Sequence, residues 1–396
     1  MKTRFFLSSG ILFLLFSGIA FAMPFGWRPI EFNFPSPVRE LHVDPSTPGV
    51  VYALTVSGLI FGSTDFGVSW ELRHTSSPTE FSLLAVDSSR KETLYGFAPN
   101  SPEGSNSIWI SGDAGRNWAL SGSSPEPLKS IVPSAFIPGL LMAVTVAPSF
   151  NLLISEDEGH TWTDSGVQSD TARPIWHSTA QWIGFFGLHV SEDYGKSWTE
   201  RSRKEISNCS FQIPPKLLSI SNDGFFYSID QARSWWPYNQ IAGDTIFLNA
   251  NNPDQILTGS SSSDSASDRP SLRLSVDGGT SFTEWNSGLV YPVTQCVMPA
   301  DWLFLCIQSG TVFIYDETRA DLDSSRRVDG GDLAVLSIAF GYHAGEPGYI
   351  PEADLNDDGV IDGSDLAILS VLWGHRFYYD SPKTPGDFPM NPTKTS

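Results

Sequence analysis

The chain has 396 residues, with 44 acidic against 24 basic side chains, a formal net charge of −20 and only three cysteines. So acidic a surface repels phosphate backbones and anionic lipid, which argues against nucleic acid as a partner, and it favours hard cations instead. Three cysteines are too sparse a framework to hold a fold of this size.

Residues 1–22 read MKTRFFLSSGILFLLFSGIAFA, where Lys2 and Arg4 precede an apolar run from Phe5 to about Ala20. With small residues at Ala20 and Ala22, this is the pattern of a secretory signal cleaved after Ala22. An uncleaved anchor is the alternative, since the run is near the lower limit for spanning a bilayer. The expectation is a secreted protein, extracellular or on the cell surface, with no membrane span after signal cleavage.

From residue 63 an octad recurs: STDFGVSW, SGDAGRNW, SEDEGHTW, SEDYGKSW, SIDQARSW and SVDGGTSF, starting at Ser63, Ser111, Ser155, Ser191, Ser228 and Ser275. The starts differ by 48, 44, 36, 37 and 47 residues, the period of a four-stranded propeller blade. Ser is first and Asp third in every copy, Gly is fifth except at Ala232, and Trp is eighth except at Phe282. The histidine and glutamates of SEDEGHTW are replaced in the other copies, whereas a catalytic centre would keep its reacting groups. Asp65, Asp113, Asp157, Asp193, Asp230 and Asp277 therefore read as turn residues whose oxygens bond nearby backbone N–H groups, with Gly at positive φ and Trp opening the next strand. Runs such as VVYALTV then LIFGS before each octad give four short strands per repeat.

The octads resemble the Asp-box, or bacterial neuraminidase repeat, S-x-D-x-G-x-[ST]-W. In that family the box is a peripheral turn between the third and fourth strands of a blade, remote from the cleft where ligands bind. The resemblance spans about Phe25 to Tyr315 and implies fold rather than activity, because sialidases, xyloglucanases, sortilin-type receptors and a photosystem assembly factor all carry such boxes.

After the sixth octad, YPVTQCVMPADWLFLCIQSGTVFIYDE offers three more strands, with Tyr315 where a seventh Ser would fall. A fourth strand from residues 26–34, with Trp27 in the tryptophan column, would close a seven-bladed all-β propeller over 23–317 and remove an exposed sheet edge. A six-bladed ring with a decayed appendage is the alternative. Cys296 and Cys306 could face each other across a hairpin as a disulfide, buried free thiols being the alternative, and Cys209 is unpaired either way.

Past Tyr315 the pattern becomes helical. ADLDSSRRVDGGDLAVLSIAFG from Ala320 and ADLNDDGVIDGSDLAILSVLWG from Ala353 match at an offset of 33. Each is an acidic loop followed by an amphipathic stretch, with Leu333, Leu336, Ala339 and Phe340, or Leu366, Leu369, Leu372 and Trp373, on one face. Gly341 and Gly374 stop the helices. In the second loop, oxygen donors at Asp354, Asn356, Asp358, Asp362 and Asp365, with Gly359 at the turn and the Val360 carbonyl, have EF-hand spacing for one Ca2+. The first loop offers Asp321, Asp323, Ser325, Arg327 through its carbonyl, Asp329 and Asp332, but Arg326 replaces the turn glycine, so weaker binding is expected there. A last Asp in place of Glu and the missing entering helix make the pair, 318–376, resemble a dockerin, a calcium-dependent α-helical module that docks secreted polysaccharide-degrading enzymes onto cohesin partners. Loop positions 10 and 11, by which dockerins commonly read cohesins, are Gly330 with Gly331 and Gly363 with Ser364. Residues 377–396, rich in Pro and polar side chains, read as a disordered tail.

Recognition is expected on the face away from the octads, built from FAPNSPEGSNS at Phe97, VAPSFN at Val146 and TGSSSSDSASDRPS at Thr258. WRPI at Trp27 only loosely resembles the sialidase Arg-Ile-Pro motif, and Arg28 falls on an outer strand. Xyloglucanases set their carboxylates across a cleft between two propellers, whereas this chain holds one. The seven histidines show no zinc spacing, and there is no nucleophile elbow or phosphate loop. The reading is a secreted recognition propeller with a calcium-dependent tether, part of an extracellular polysaccharide-binding or polysaccharide-degrading assembly, with a polysaccharide ligand and a cohesin-like partner. A glycoside hydrolase is the alternative, since two carboxylates suffice for that chemistry, and a protein-interaction scaffold is the second.

Overall fold

The computed structural model describes residues 27–75, 79–168, 272–285, 293–300 and 303–316, shorter runs between 175 and 259, and residues 320–374 apart from 324, 326, 356–358 and 372. The expected signal segment, most of the Ser-rich stretch after Thr258 and the tail from 375 lie outside the described residues.

The chain opens with the two-residue strand β1 (Arg28–Pro29) and continues with β2 (Val38–Val43), β3 (Val51–Thr55), β4 (Ile60–Ser63) and β5 (Glu71–His74). Next come β6 (Leu83–Val86), β7 (Leu94–Ser101), β8 (Gly104–Ser111) and β9 (Ala119–Ser123), then β10 (Leu128–Pro133), β11 (Leu141–Thr145), β12 (Asn151–Ser155) and β13 (Thr163–Gln168). β14 (Ile175–Ser178), β15 (Trp182–Phe186), β16 (His189–Ser191) and β17 (Thr199–Glu200) precede β18 (Asn208–Gln212), β19 (Lys216–Ser221), β20 (Gly224–Ser228) and β21 (Trp236–Asn239). The last are β22 (Thr245–Leu248), β23 (Ile256–Gly259), β24 (Arg273–Ser275), β25 (Thr283–Glu284), β26 (Val293–Ala300), β27 (Leu303–Gln308) and β28 (Thr311–Asp316).

Among the described residues these strands form seven four-stranded antiparallel sheets, six of them consecutive meanders and the seventh ordered β1-β28-β27-β26. Their innermost strands neighbour one another in the order β26, β2, β6, β10, and again β14, β18, β22, β26. Sheets pack on both faces, so central strands are buried throughout rather than on alternate residues: β3 and β11 are buried at all five positions. The cores lie between sheets. Leu41, Val51, Phe61 and Trp70 of one sheet meet Leu303, Leu305 and Ile307 of the next, and each such side chain contributes about 1.5–3 kcal/mol on burial.

Side chains also bridge innermost strands where no ladder can form. The Gln295 amide both accepts from Leu41 N (2.9 Å) and donates to Leu41 O (2.7 Å), and Glu40 accepts from Leu84 N (3.1 Å). Within the seventh sheet Cys296 and Cys306 are direct cross-strand partners joined as a disulfide.

Arg28 and Pro29 pair with Ile314 and Phe313 as the outermost strand of that sheet. The expected strand over 26–34 is confined to Arg28–Pro29, with one further backbone bond beyond it, from Ile30 N to Val312 O (3.0 Å). Trp27 is buried, donates from Nε1 to Trp285 O (2.9 Å) and packs on Phe304 and Tyr315. Beyond the strand, Phe34 crosses to the adjacent sheet, 5.1 Å from Phe61 and 5.3 Å from Trp70 between ring centroids.

The C-terminal module holds α1 (Gly330–Ala339) and α2 (Gly363–Val371). Ala320, Val328, Leu336 and Ala339 of the first half pack against Ala353, Leu355, Ile361 and Leu369 of the second. The amphipathic stripes are only half used. Leu336, Ala339 and Leu369 are buried, while Leu333, Phe340, Leu366 and Trp373 are 37–50% exposed. Two helices this short close over a core one or two residues wide, and the flanks of each stripe stay outside it.

Candidate functional site: turn octads and paired acidic loops

Each octad starts at the end of a sheet's third strand and leads into its fourth. Its Ser hydroxyl donates to the Asp at 2.7–2.9 Å in all six copies. In five copies the same hydroxyl accepts from the fifth-position glycine N–H at 2.7–2.9 Å. The Asp also accepts from the backbone N–H and side chain of the seventh residue, as Asp157 does from Thr161 N (2.8 Å) and Thr161 Oγ1 (2.6 Å). The carboxylate oxygens are thus engaged inside their own turn. Burial pushes the Asp157 carboxyl up, but the Thr161 and Ser155 bonds outweigh it and hold it below the usual range. At Asp277 the Ser281 bonds dominate and hold it at about 2.

The fifth-position glycine serves two needs. Gly67 and Gly159 sit at φ +94° and +91°, and a Cβ there would come within 2.6 Å of Leu305 and 2.9 Å of Ile108, both on the preceding sheet. The octad therefore seats its sheet against its neighbour. The tryptophans do likewise: Trp70, Trp118 and Trp198 donate from Nε1 to the carbonyl of Gly67, Gly115 and Gly195 at 2.9–3.0 Å and pack between sheets.

Three further roles were hidden in the drifting columns. The fourth residue is left-handed whatever its type, with Phe66, Ala114, Glu158 and Tyr194 at φ +61° to +64°. Its N–H docks on a turn between the first and second strands, as in Phe66 N to Gly49 O and Glu158 N to Gly139 O. Second-position acids meet sixth-position bases of the following octad, Glu156 with Lys196 (3.4 Å) and Glu192 with Arg233 (4.0 Å). Glu158 itself accepts from Arg90, which also binds Asp87 and Tyr95. Glu156 and Glu158 of SEDEGHTW thus tie neighbouring sheets together, and only covariation between columns could have signalled it.

On the opposite face, FAPNSPEGSNS is not a loop but the paired ends of β7 and β8, with Ala98 opposite Ser107 and Asn100 opposite Ser105. The VAPSFN segment is held by Glu126, which accepts from Ser149 Oγ (2.6 Å) and Asn151 Nδ2 (3.2 Å), while Lys129 lies 5.4 Å from the Phe150 ring centroid. WRPI places Arg28 at the outer edge of its sheet, away from the innermost strands.

In the C-terminal module the first loop brings carboxylate oxygens of Asp321, Asp323 and Asp332 within 4.8 Å of one another. Ser325 N donates to Asp321 (2.9 Å) and Asp323 (3.0 Å), and Ser325 Oγ to the Arg327 carbonyl (3.0 Å). Asp329 caps α1 by accepting from Gly331 N, and Asp332 reaches back to the Asp329 N–H (2.7 Å). The second loop repeats the last contact, Asp365 accepting from Asp362 N (2.8 Å) and Leu355 N (2.7 Å). Asp354 accepts from Gly359 N (2.9 Å) and Tyr349 Oη (2.6 Å), and Gly359 turns at φ +84°. Val360 bridges His343. Asn356 and Asp358 lie outside the described residues, as does Arg326. In the first loop Asp332 is buried, Asp321 half-buried and Asp323 exposed, and in the second Asp354 and Asp365 are buried. Hard oxygen donors from carboxylates, a hydroxyl and backbone carbonyls suit calcium better than zinc or a soft metal.

No protein-family model matches the chain, and no curated protein matches its sequence. Solved structures do resemble it. YCF48 from Cyanidioschyzon merolae matches with a TM-score of 0.51 at 14% identity, over 74% of this chain and 99% of its own. The GH74 xyloglucanase from Xanthomonas campestris matches with a TM-score of 0.56 at 15% identity, over 74% of this chain and 53% of its own. The Niastella koreensis GH74 enzyme gives 0.56 at 14%, over 73% and 53%. The fold is an all-β propeller. At these identities the likeness concerns the fold, and the chain spans about half the length of the two GH74 proteins.

Proposed function

We propose that the chain is a secreted recognition protein: a seven-bladed Asp-box propeller carrying a dockerin-like module that binds Ca2+ in its paired acidic loops. The seven sheets support the blade count, with the N-terminal strand completing the blade of β26–β28. The observation that carries the functional reading is the fate of the octad carboxylates, which are engaged in holding turns. Recognition then falls to the other face, where β7 and β8 project and Glu126 orders the 146–150 segment. Xyloglucanases of the same fold favour a polysaccharide as the ligand, and the module tethers the propeller to a cohesin-like partner in an extracellular polysaccharide-processing assembly.

A scaffold reading has one observation in its favour, since a YCF48 propeller of this fold is described bound to D1 peptide. A hydrolase reading rests on the GH74 likeness alone. Screening the purified chain against plant and microbial glycans, for retention and for release of reducing ends, separates the three. Retention without release is expected, release establishes a hydrolase, and the absence of both favours the scaffold.

A further inference from the structure

The turn between the first and second strands of a sheet repeats, and the same four positions meet in the seam with the next sheet. Asp44, Asp87 and Ser134 follow the register pairs Val43 with Val51, Val86 with Leu94 and Pro133 with Leu141, and their N–H groups donate to the carbonyls of Val50, Thr93 and Leu140 at 2.8–3.0 Å. Val50, Thr93 and Leu140 donate back to Thr47, Arg90 and Ile137. Tyr52, Tyr95 and Met142 then enter the seam from the second strand, where they meet the fourth octad residue of the next sheet, Ala114, Glu158 or Tyr194.

Two of these seams are complete in themselves. Ile137, Met142 and Tyr194 form an apolar cluster. In the second, Arg90 donates to Asp87, Tyr95 and Glu158, so one guanidinium satisfies two carboxylates and a phenol. The seam between the sheets β2–β5 and β6–β9 keeps the Asp and the Tyr of that set without its arginine or its glutamate. Asp44 has the conformation of Asp87, since in each one carboxylate oxygen accepts from the N–H and hydroxyl of the residue two positions on, Ser46 or Ser89. The other oxygen of Asp87 accepts from Arg90 Nε (2.9 Å). Asp44 is 2% exposed, yet among the described residues no cationic side chain stands in ion-pair range of it, and the hydroxyl of Tyr52, 1% exposed, has no hydrogen-bond partner. The arginines of this seam are engaged at its outer edge, where Arg73 and Arg116 reach Glu71 at 3.1 and 3.6 Å. Burial pushes the Tyr52 phenol up, and Asp44 and Glu92 each push it further by more than Arg116 pulls it back, so the potential at that hydroxyl is negative. A carboxylate buried without a charge partner is costly.

We propose that a monovalent alkali cation binds between Asp44 and Tyr52, in the position that the Arg90 guanidinium takes one seam further on. Asp44 supplies the charge and Tyr52 a neutral oxygen. Thr47 stands where Arg90 does, and its Oγ1, 3.4 Å from Ser46 Oγ, offers another. One carboxylate among neutral oxygens suits a singly charged ion, whereas divalent sites gather several carboxylates. The ion fastens the first of these sheets to the second as Arg90 fastens the second to the third, and it is separate from the C-terminal loops.

The test is thermal unfolding of the full chain with divalent cations chelated, in potassium, sodium or choline chloride at one ionic strength, choline being too bulky for a site between two buried side chains. The unaltered chain is expected to melt at least about 2 °C higher in potassium or sodium than in choline. Thr47→Arg restores the guanidinium of the neighbouring seam and is expected to melt alike in all three salts. Tyr52→Phe keeps the ring in the core, loses the hydroxyl and is expected to respond less to the salt than the unaltered chain. Equal melting of the unaltered chain in the three salts overturns the proposal and leaves an ordered water as the partner of Tyr52. A response undiminished in Tyr52→Phe, or in a folded Thr47→Arg, puts the ion elsewhere and overturns the proposal as well.

Discussion

Asp157 accepts three hydrogen bonds from residues within four positions of it, and nothing in its turn leaves the carboxylate for substrate or ion. Replacing it with alanine orphans Thr161 N and Ser155 Oγ, so Asp157→Ala is expected to destabilise the propeller by about 1–3 kcal/mol in a denaturant melt, with calcium affinity unchanged. Gly159→Ala combines a strained φ with a Cβ 2.9 Å from Ile108 Cγ2, and a loss of about 1–3 kcal/mol is expected by the same measurement. These residues were legible in the sequence because their chemistry is local: a hydroxyl, a carboxylate and a glycine within five positions define the turn. The left-handed fourth position was not, since Phe66, Ala114, Glu158 and Tyr194 share no chemistry. Their φ is imposed by the residues on either side.

Among the elements, strands and octads could be placed from period and punctuation, whereas contacts between sheets could not. Gln295 and Leu41 are 254 positions apart, and Glu40 and Leu84 are 44 apart, so no window of sequence contains both partners. The exposed Leu333, Phe340, Leu366 and Trp373 mark the opposite failure, because a periodic pattern states which face is apolar and not how much of it a small core covers. At this scale the seventh sheet is the sensitive one. Trp27 supplies its buried edge, so Trp27→Ala is expected to cost about 3–5 kcal/mol, and a chain starting after Pro35 is expected to melt earlier and less cooperatively. An unchanged calorimetric transition in that truncation would contradict closure of the ring by the N-terminal strand. Replacing Cys296 and Cys306 by serine opens a loop of sequence separation 10, for which a loss of roughly 2–3 kcal/mol is expected, with blade pairing otherwise retained.

For the whole molecule, six octad aspartates titrate together. All six carboxyls lie below their ordinary value in the folded chain, Asp277 at about 2. A depressed carboxyl contributes stability that is present above its unfolded pKa, near 4, and is lost as pH falls through the folded value. The octad aspartates are therefore expected to lower the melting temperature only below about pH 4, and steeply toward pH 2. His74, pushed down by burial between Phe81 and Trp118, adds a smaller loss that begins near pH 6.5, because a histidine that resists protonation when folded favours the unfolded state in acid. Both steps are readable in one series of thermal melts against pH.

At the same scale the octad and C-terminal aspartates fall into two populations, those that hold corners of the propeller and those of the C-terminal loops, where we propose that an ion binds. The measurement that tests this division most directly is a calorimetric calcium titration of the full chain beside two variants, Asp321→Asn with Asp354→Asn, and Asp157→Asn alone. Binding is predicted to disappear in the paired loop variant and to persist unchanged in Asp157→Asn. Binding that survives the paired substitution and falls with Asp157 would place the ion in the octads and contradict the account.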